Sequence, residues 1–300
     1  MASDPAAFDL QAHRGGLGLV VENTMAAFRN AVAIGVTTLE CDVHISADGV
    51  AMVTHDRILD PKKIKDTAPA HPRDSEFPYV GRFITRLSRE QLATLDCGSL
   101  TSPDHPGQLA VPFAPMPTFE EVLALAKVNG LRVNVETKFE AVAPEETSPR
   151  ERFIEVVLRQ IEHFEMTDAV MVQSFDWLLL RQLGWADPRI RRAALVSPRT
   201  MALGKPGPSA WLGGIDLDDR DGDPISTVSE FGFDVISPDK SAVTADFVRR
   251  AHESGVGVIP YTVDDPALMV SLVEAGVDGF VTNYPDRARL ILDGPSAIEV

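Results

Sequence analysis

Residues 118–136 read TFEEVLALAKVNGLRVNVE and contain one helix followed directly by one strand. Thr118 and Glu121 form a capping-box pattern at the start of the helix, and Gly130 is the residue type that ends one. Apolar residues recur between them at helical spacing, at Phe119, Val122, Leu123 and Ala126. The run Leu131–Glu136 is rich in β-branched residues and is typical of a buried strand.

The same alternation of strand and helix extends over the rest of the chain. Seven further runs have strand character: Phe8–Ala12, Thr37–Val43, Ala169–Gln173, Arg192–Val196, Phe233–Ile236, Gly257–Tyr261 and Asp278–Val281. Five further segments have helical period: Thr24–Ala33, Glu151–Glu162, Phe175–Leu183, Thr244–Glu253 and Pro266–Ala275. Alternating elements pair their strands in parallel, and eight such units favour a closed barrel over an open doubly wound sheet. We therefore predict an α/β protein with a (β/α)8 TIM barrel, formed by residues 1–300 as a single domain.

One long segment interrupts the alternation. About 60 residues, 57–117, are rich in Pro and charge and are too long for a simple connection. We expect them to form an insertion after the second strand, over one end of the barrel.

Composition excludes several classes of protein. With 44% hydrophobic and 24% charged residues, the chain is of ordinary globular composition, and its net charge of −16 disfavours binding to nucleic acid. No apolar run approaches the roughly 18 residues of a transmembrane helix, and Met1–Leu10 lacks the features of a signal peptide. Two cysteines, Cys41 and Cys97, are too few for a disulfide scaffold. We expect a cytoplasmic protein, and the sequence leaves its oligomeric state open.

Three carboxylates fall where predicted strands end. Glu40 and Asp42 are two residues apart, so they share one face of the second strand, and Glu136 ends the third. Carboxylates that converge at a barrel mouth repel one another unless a cation neutralises them, and hard oxygen ligands favour Mg²⁺ or Ca²⁺. The alternative is that they form salt bridges with Arg14 and Lys138. We expect a divalent cation held by Glu40, Asp42 and Glu136.

Two histidines also fall at these ends. His13 follows the first strand, and His55 follows a short β-like run, Val50–Thr54, that an Asp48-Gly49 turn returns from the second strand. Imidazoles titrate near neutral pH, so His13 and His55 are candidates for general acid and base. His44 is assigned a structural or supporting role. Arg14 and Lys138 indicate that an anionic group such as phosphate binds here. The alternative is that they only balance the charge of the neighbouring carboxylates.

Several short motifs occur in order along the chain: His13-Arg14-Gly15, Glu22-Asn23-Thr24, Glu40-x-Asp42, His55-Asp56, Glu136-x-Lys138, Ser174-Phe175 and Asp278-Gly279-Phe280-Val281-Thr282-Asn283. Together they resemble the glycerophosphodiester phosphodiesterase family over most of residues 8–290. The chain has Tyr261 and Asn283 where the family often has Trp and Asp. The resemblance implies the same barrel, Glu40, Asp42 and Glu136 as metal ligands, His13 and His55 as the acid–base pair, and Arg14 and Lys138 as phosphate contacts.

The resemblance implies metal-dependent hydrolysis of a small-molecule glycerophosphodiester, such as glycerophosphocholine or glycerophosphoethanolamine, to sn-glycerol 3-phosphate and an alcohol. One alternative is a lysophospholipase D or sphingomyelinase D type lipid phosphodiesterase, and another is a noncatalytic phosphodiester-binding protein. A lipid substrate calls for an apolar rim, which four aromatic residues of the insertion could supply: Phe77, Tyr79, Phe83 and Phe113. We assign these a packing role first, as we do the three tryptophans Trp177, Trp185 and Trp211.

Overall fold

The computed structural model describes residues 8–294. Its strands are β1 (Asp9–Ala12), β2 (Thr38–Ile45), β3 (Ala51–Val53), β4 (Arg132–Thr137), β5 (Val170–Ser174), β6 (Arg191–Val196), β7 (Val235–Pro238), β8 (Gly257–Val258) and β9 (Gly279–Thr282). Its α-helices are α1 (Met25–Ile34), α2 (Arg89–Leu92), α3 (Phe119–Asn129), α4 (Arg150–His163), α5 (Trp177–Ala186), α6 (Pro198–Met201), α7 (Pro224–Glu230), α8 (Ala245–Glu253), α9 (Pro266–Glu274) and α10 (Pro285–Asp293).

Eight of the strands are parallel and form a nearly closed barrel. Their order around the sheet is β8-β7-β6-β5-β4-β2-β1-β9. The ends of this sheet meet through backbone hydrogen bonds, because Asp278 N donates to Val258 O at 3.0 Å and Val281 N donates to Pro260 O at 2.9 Å. All eight correspond to the predicted strands, so the prediction of a TIM barrel is confirmed.

The predicted hairpin is also present. β3 pairs antiparallel with β2, with Val43 opposite Val53 and Ile45 opposite Ala51. The turn closes where Gly49 N donates to Ser46 O at 3.0 Å. This extra strand carries the chain back to the carboxyl ends of the barrel strands and delivers His55 there.

The insertion follows β3 and has an apolar cluster of its own, separate from the main core. The buried residues of this cluster are Met52, Leu59, Ile64, Tyr79, Ile84, Leu87, Leu92, Leu95 and Met116. The insertion is also tied to the loop after β1, where Val21 N donates to Leu109 O at 3.1 Å. It therefore lies over the end of the barrel at which β1 terminates.

Two longer helices, α7 and α10, were not among the predicted segments. α7 lies in a stretch rich in Gly, Pro and Asp, and α10 begins with Pro285-Asp286-Arg287 and buries little beyond Pro285 and Ala288. Both begin with Pro in the first turn, where its missing N–H costs nothing. None of the helices within residues 8–294 has the length and apolar character that crossing a lipid bilayer requires.

Candidate active site

A tight turn after β1 places two of the predicted residues. His13, Arg14 and Gly15 form a single 3-10 turn, in which Arg14 has φ 51° and Gly15 has φ 81°. A Cβ atom at Gly15 would lie 2.8 Å from the backbone carbonyl carbon of Ala27, so only glycine fits there. The turn directs Arg14 N toward Glu40, to which it donates at 2.8 Å.

The three predicted carboxylates meet at the mouth of the barrel. Asp42 and Glu136 are partners in the register of β2 and β4, and Glu40 lies two residues before Asp42 on the same face. Each of the three offers an oxygen atom, and these atoms lie within 4.8 Å of one another. All three side chains are buried.

The electrostatics of the three carboxyls differ. Burial raises the pKa of Glu40 well above its usual range, and the nearby Asp42 charge raises it further. Burial likewise raises the pKa of Glu136, although Lys138 opposes this. Burial acts in the same direction on Asp42, but the Arg14 guanidinium outweighs it and holds the pKa of that carboxyl well below its usual range.

The contacts of the charged residues bear on both predictions, that of salt bridges and that of a cation site. Arg14 Nε lies 3.0 Å from Asp42 Oδ2, and Lys138 Nζ lies 2.8 Å from Glu136 Oε1 and 3.7 Å from Asp42 Oδ1. The predicted salt bridges are therefore present. They leave Asp42 Oδ1 buried without a hydrogen-bond partner among residues 8–294, and no Lys or Arg side chain in that range forms an ion pair with Glu40. Unsatisfied, buried, hard oxygens fit a divalent cation.

A polar network inside the barrel holds Glu40 from below. Gln173 Nε2 donates to Glu40 Oε1 at 2.8 Å, and Asn134 Nδ2 donates to both Gln173 Oε1 at 3.0 Å and Gln11 Oε1 at 2.7 Å. The opposite half of the interior is apolar, formed by Met171, Ala193, Val235, Ile259 and Val281. Gln173 was not predicted to belong to the site, although it is the last residue of the predicted strand Ala169–Gln173 and so falls where the other site residues do.

The two predicted histidines have different partners. His13 Nδ1 lies 2.6 Å from Asn283 Oδ1, and Asn283 Nδ2 donates to Asp264 Oδ2 at 2.7 Å. Since the amide oxygen only accepts, His13 carries its hydrogen on Nδ1, which leaves Nε2 unprotonated. Burial and the neighbouring Arg14 charge lower the pKa of His13 to about 3, so its imidazole is neutral.

His55 is paired with a carboxylate instead. Its Nδ1 lies 2.7 Å from Asp56 Oδ1, and Asp56 Oδ2 lies 2.7 Å from Lys63 Nζ. Lys63 also contacts Glu22 at 3.2 Å, and Glu22 contacts Arg14 at 3.2 Å. This row of alternating charges joins His55 to Arg14. Lys63 could not be predicted from the sequence, because it lies in the insertion and belongs to none of the quoted motifs.

His44 has the structural role expected of it. It is buried, its Nε2 lies 3.2 Å from His55 O, and burial lowers its pKa to about 3. It therefore supports the backbone at His55.

Tyr79 and Trp177 are fully buried, in agreement with packing roles, whereas Phe113 is 79% exposed and Trp185 is 70% exposed.

A cavity of about 570 Å³ opens beside the carboxylates. Its wall includes His55, Glu136, Lys138, Phe175, Arg199 and Trp211. A second cavity, of about 430 Å³, lies between the loop after β1 and the insertion, and it includes Arg14, Asn23 and Lys63. Asp56 borders both cavities, so the acid–base candidate His55 stands where they meet.

Comparison with known proteins identifies the family. The sequence model described as "Glycerophosphoryl diester phosphodiesterase family" matches residues 13–287. The chain belongs to this family. It is 26% identical over 280 residues to a glycerophosphodiester phosphodiesterase of Caldanaerobacter subterraneus subsp. tengcongensis, covering 92% of this chain and 93% of that protein.

Solved structures agree. A crystal structure from Silicibacter pomeroyi DSS-3 has a TM-score of 0.81 and 26% identity, covering 97% of this chain and 95% of that one. A phosphodiesterase of Oleispira antarctica, solved with the product sn-glycerol-3-phosphate, has a TM-score of 0.70 and 22% identity, covering 95% of this chain and 97% of that one. This protein is accordingly an enzyme of the glycerophosphodiester phosphodiesterase class.

Proposed function

We propose that this enzyme hydrolyses small glycerophosphodiesters, such as glycerophosphocholine or glycerophosphoethanolamine, to sn-glycerol 3-phosphate and the free alcohol. The observation that carries the proposal is the convergence of Glu40, Asp42 and Glu136 within 4.8 Å, beside two cationic side chains and a cavity large enough for a small diester. The Oleispira relative was solved with the same product, which supports this substrate class.

Glu40, Asp42 and Glu136 would hold a divalent cation, Mg²⁺ or Ca²⁺. When bound, such an ion polarises the phosphoryl group and offsets the charge that develops on its oxygens. Arg14 and Lys138 would contact the same phosphate, because both lie against Asp42, at 3.0 Å and 3.7 Å. A guanidinium fork matches two phosphate oxygens, and the Lys138 ammonium adds a point charge.

The hydrogen-bond partners of the histidines suggest separate roles. His13 Nε2 is unprotonated, so His13 would accept the proton of the attacking hydroxyl. Asp56 Oδ1 contacts His55 Nδ1 and orients the ring on the cavity wall, so we assign His55 the role of proton donor to the leaving alcohol oxygen. Asn283 holds His13 in the required tautomer from the other side of its ring.

The test is an assay of glycerol 3-phosphate release from a panel of glycerophosphodiesters, with and without chelator. We expect His13→Ala and Glu136→Ala to lose at least about a hundredfold in rate, in line with the loss of a general base or a metal ligand. His163→Ala and Glu274→Ala serve as controls, since both side chains are exposed on the outer helices.

Activity that survived His13→Ala, Glu136→Ala and chelation would refute the proposed site. Release of choline from lysophosphatidylcholine in preference to glycerol 3-phosphate would instead support the lysophospholipase D alternative.

A further inference from the structure

One cation on the wall of the 570 Å³ cavity lacks a carboxylate partner. Lys138 pairs with Glu136 at 2.8 Å, and Arg57 pairs with Glu140 at 3.0 Å. Arg199 is exposed, and its guanidinium forms no salt bridge or hydrogen bond with any residue in the range 8–294. It is therefore available to a ligand.

The position of Arg199 is fixed by its surroundings. It lies in α6, directly after β6, where Ser197 N donates to Thr200 Oγ1 at 3.0 Å and Thr200 N donates to Ser197 Oγ at 3.3 Å. Its guanidinium carbon lies 5.1 Å from the ring centroid of Trp211. Trp211 in turn packs edge-on against Phe175 at 6.3 Å, and both rings line the cavity with Glu136. A guanidinium held on an indole face keeps its N–H groups free at its edge.

This stacking bears on which head groups the cavity accepts. Trp211 is only 7% exposed, and Arg199 lies over its ring. A quaternary ammonium such as choline binds to an open aromatic face, and at Trp211 it would meet a cation instead. The glycerol side of the substrate carries no charge, so an unpaired cation in this cavity suits the alcohol part of the diester.

The same cavity wall contains an unpaired anion. Asp60, in the insertion, accepts a hydrogen bond from Lys62 N at 2.9 Å and forms no salt bridge within the described part of the chain. An alcohol that carries both an ammonium and a carboxylate has a group of opposite charge for each of these two side chains. Serine is the simplest alcohol of this kind.

We propose that Arg199 is a specificity-determining residue that binds a carboxylate on the leaving alcohol, so that the enzyme prefers glycerophosphoserine to glycerophosphoethanolamine. The two substrates differ only in that carboxylate. This inference rests on the proposed function, and it narrows the substrate class of the same site.

The experiment compares kcat/KM for the two substrates in wild type, Arg199→Ala, Arg199→Gln and Arg199→Glu. A partly exposed guanidinium–carboxylate pair predicts that the ratio of glycerophosphoserine to glycerophosphoethanolamine falls about threefold to tenfold in Arg199→Ala. The change should appear mainly in KM for glycerophosphoserine. Arg199→Gln should resemble Arg199→Ala, and Arg199→Glu should lower the ratio further.

A matched control is available elsewhere on the molecule. Arg181 also lies over a tryptophan ring, that of Trp185 at 5.4 Å, but it is on α5 and outside the cavity wall. Arg181→Ala should leave the ratio unchanged. If the Arg199 variants lower kcat/KM for both substrates equally, or leave the ratio at the wild-type value, the inference is overturned. The proposed function would still stand, because the enzyme would still hydrolyse glycerophosphodiesters. If wild type hydrolyses glycerophosphocholine but neither of these two substrates, the inference is also overturned. If it hydrolyses none of the three, the proposed function itself fails.

Discussion

Gln173→Leu tests whether the polar interior of the barrel sets the affinity of the carboxylates for a cation. Gln173 is buried and donates to Glu40 Oε1 at 2.8 Å, so the substitution removes one of the two hydrogen bonds that Glu40 accepts. A hydrogen bond to a charged group contributes about 1.5–3 kcal/mol, which corresponds to about a 10- to 100-fold change in an equilibrium constant. We therefore expect the Kd for Mg²⁺ or Ca²⁺ to rise by about that factor.

The measurement is calorimetric titration of the metal into chelator-treated protein, together with activity as a function of metal concentration. Saturating metal should restore most of the activity, because the ligands themselves remain. Gln11→Leu is the matched control: Gln11 is equally buried and accepts from the same Asn134, but it does not touch Glu40. Equal metal affinities in the two variants would show that the contact between Gln173 and Glu40 does not matter for binding.

Three further predictions concern the insertion and the loop after β1. Lys63→Met should lower kcat about tenfold in steady-state assays, because Asp56 loses its 2.7 Å ammonium partner, and Lys63→Arg should retain the wild-type kcat. Equal kcat values for wild type and Lys63→Met would contradict this role. Asp96→Ala should lower the free energy of unfolding by about 3 kcal/mol in urea, since three backbone N–H groups lose their acceptor. Burial raises the pKa of Asp96, but the hydrogen bonds outweigh it and lower that pKa. The stabilisation by Asp96 is therefore present above the unfolded pKa of about 3.9 and is lost as pH falls through the lower folded value. A difference in unfolding free energy between wild type and variant that did not depend on pH would refute this prediction. Gly15→Ala should lower the melting temperature and the activity together, because its φ of 81° and the 2.8 Å approach to Ala27 leave no room for Cβ; a wild-type melting curve would contradict this.

The parts of the site that follow strand periodicity were predictable from the sequence. Glu40 and Asp42 lie on one face because side chains alternate, and Glu136 joins them because the carboxyl ends of parallel strands meet. The contacts of Lys63 were not predictable, since they depend on how an irregular insertion of about 60 residues folds back over the barrel. α10 was missed although Ala288, Ile291 and Leu292 stand at helical spacing, because the consecutive apolar residues Leu290, Ile291 and Leu292 leave so short a segment ambiguous between helix and strand.

The separate apolar cluster of the insertion has a consequence for how this enzyme diverges from its relatives. Ile58 and Pro61 of the insertion face the cavity, yet the cluster beneath them, which includes Leu59, does not share its buried residues with the main core. Replacements in this segment alter the shape of the entrance without repacking the strands that carry the carboxylates. Natural variation and directed evolution of head-group preference should therefore concentrate at Arg199 and in residues 57–117 other than Lys63, while the carboxylates on the strands stay fixed.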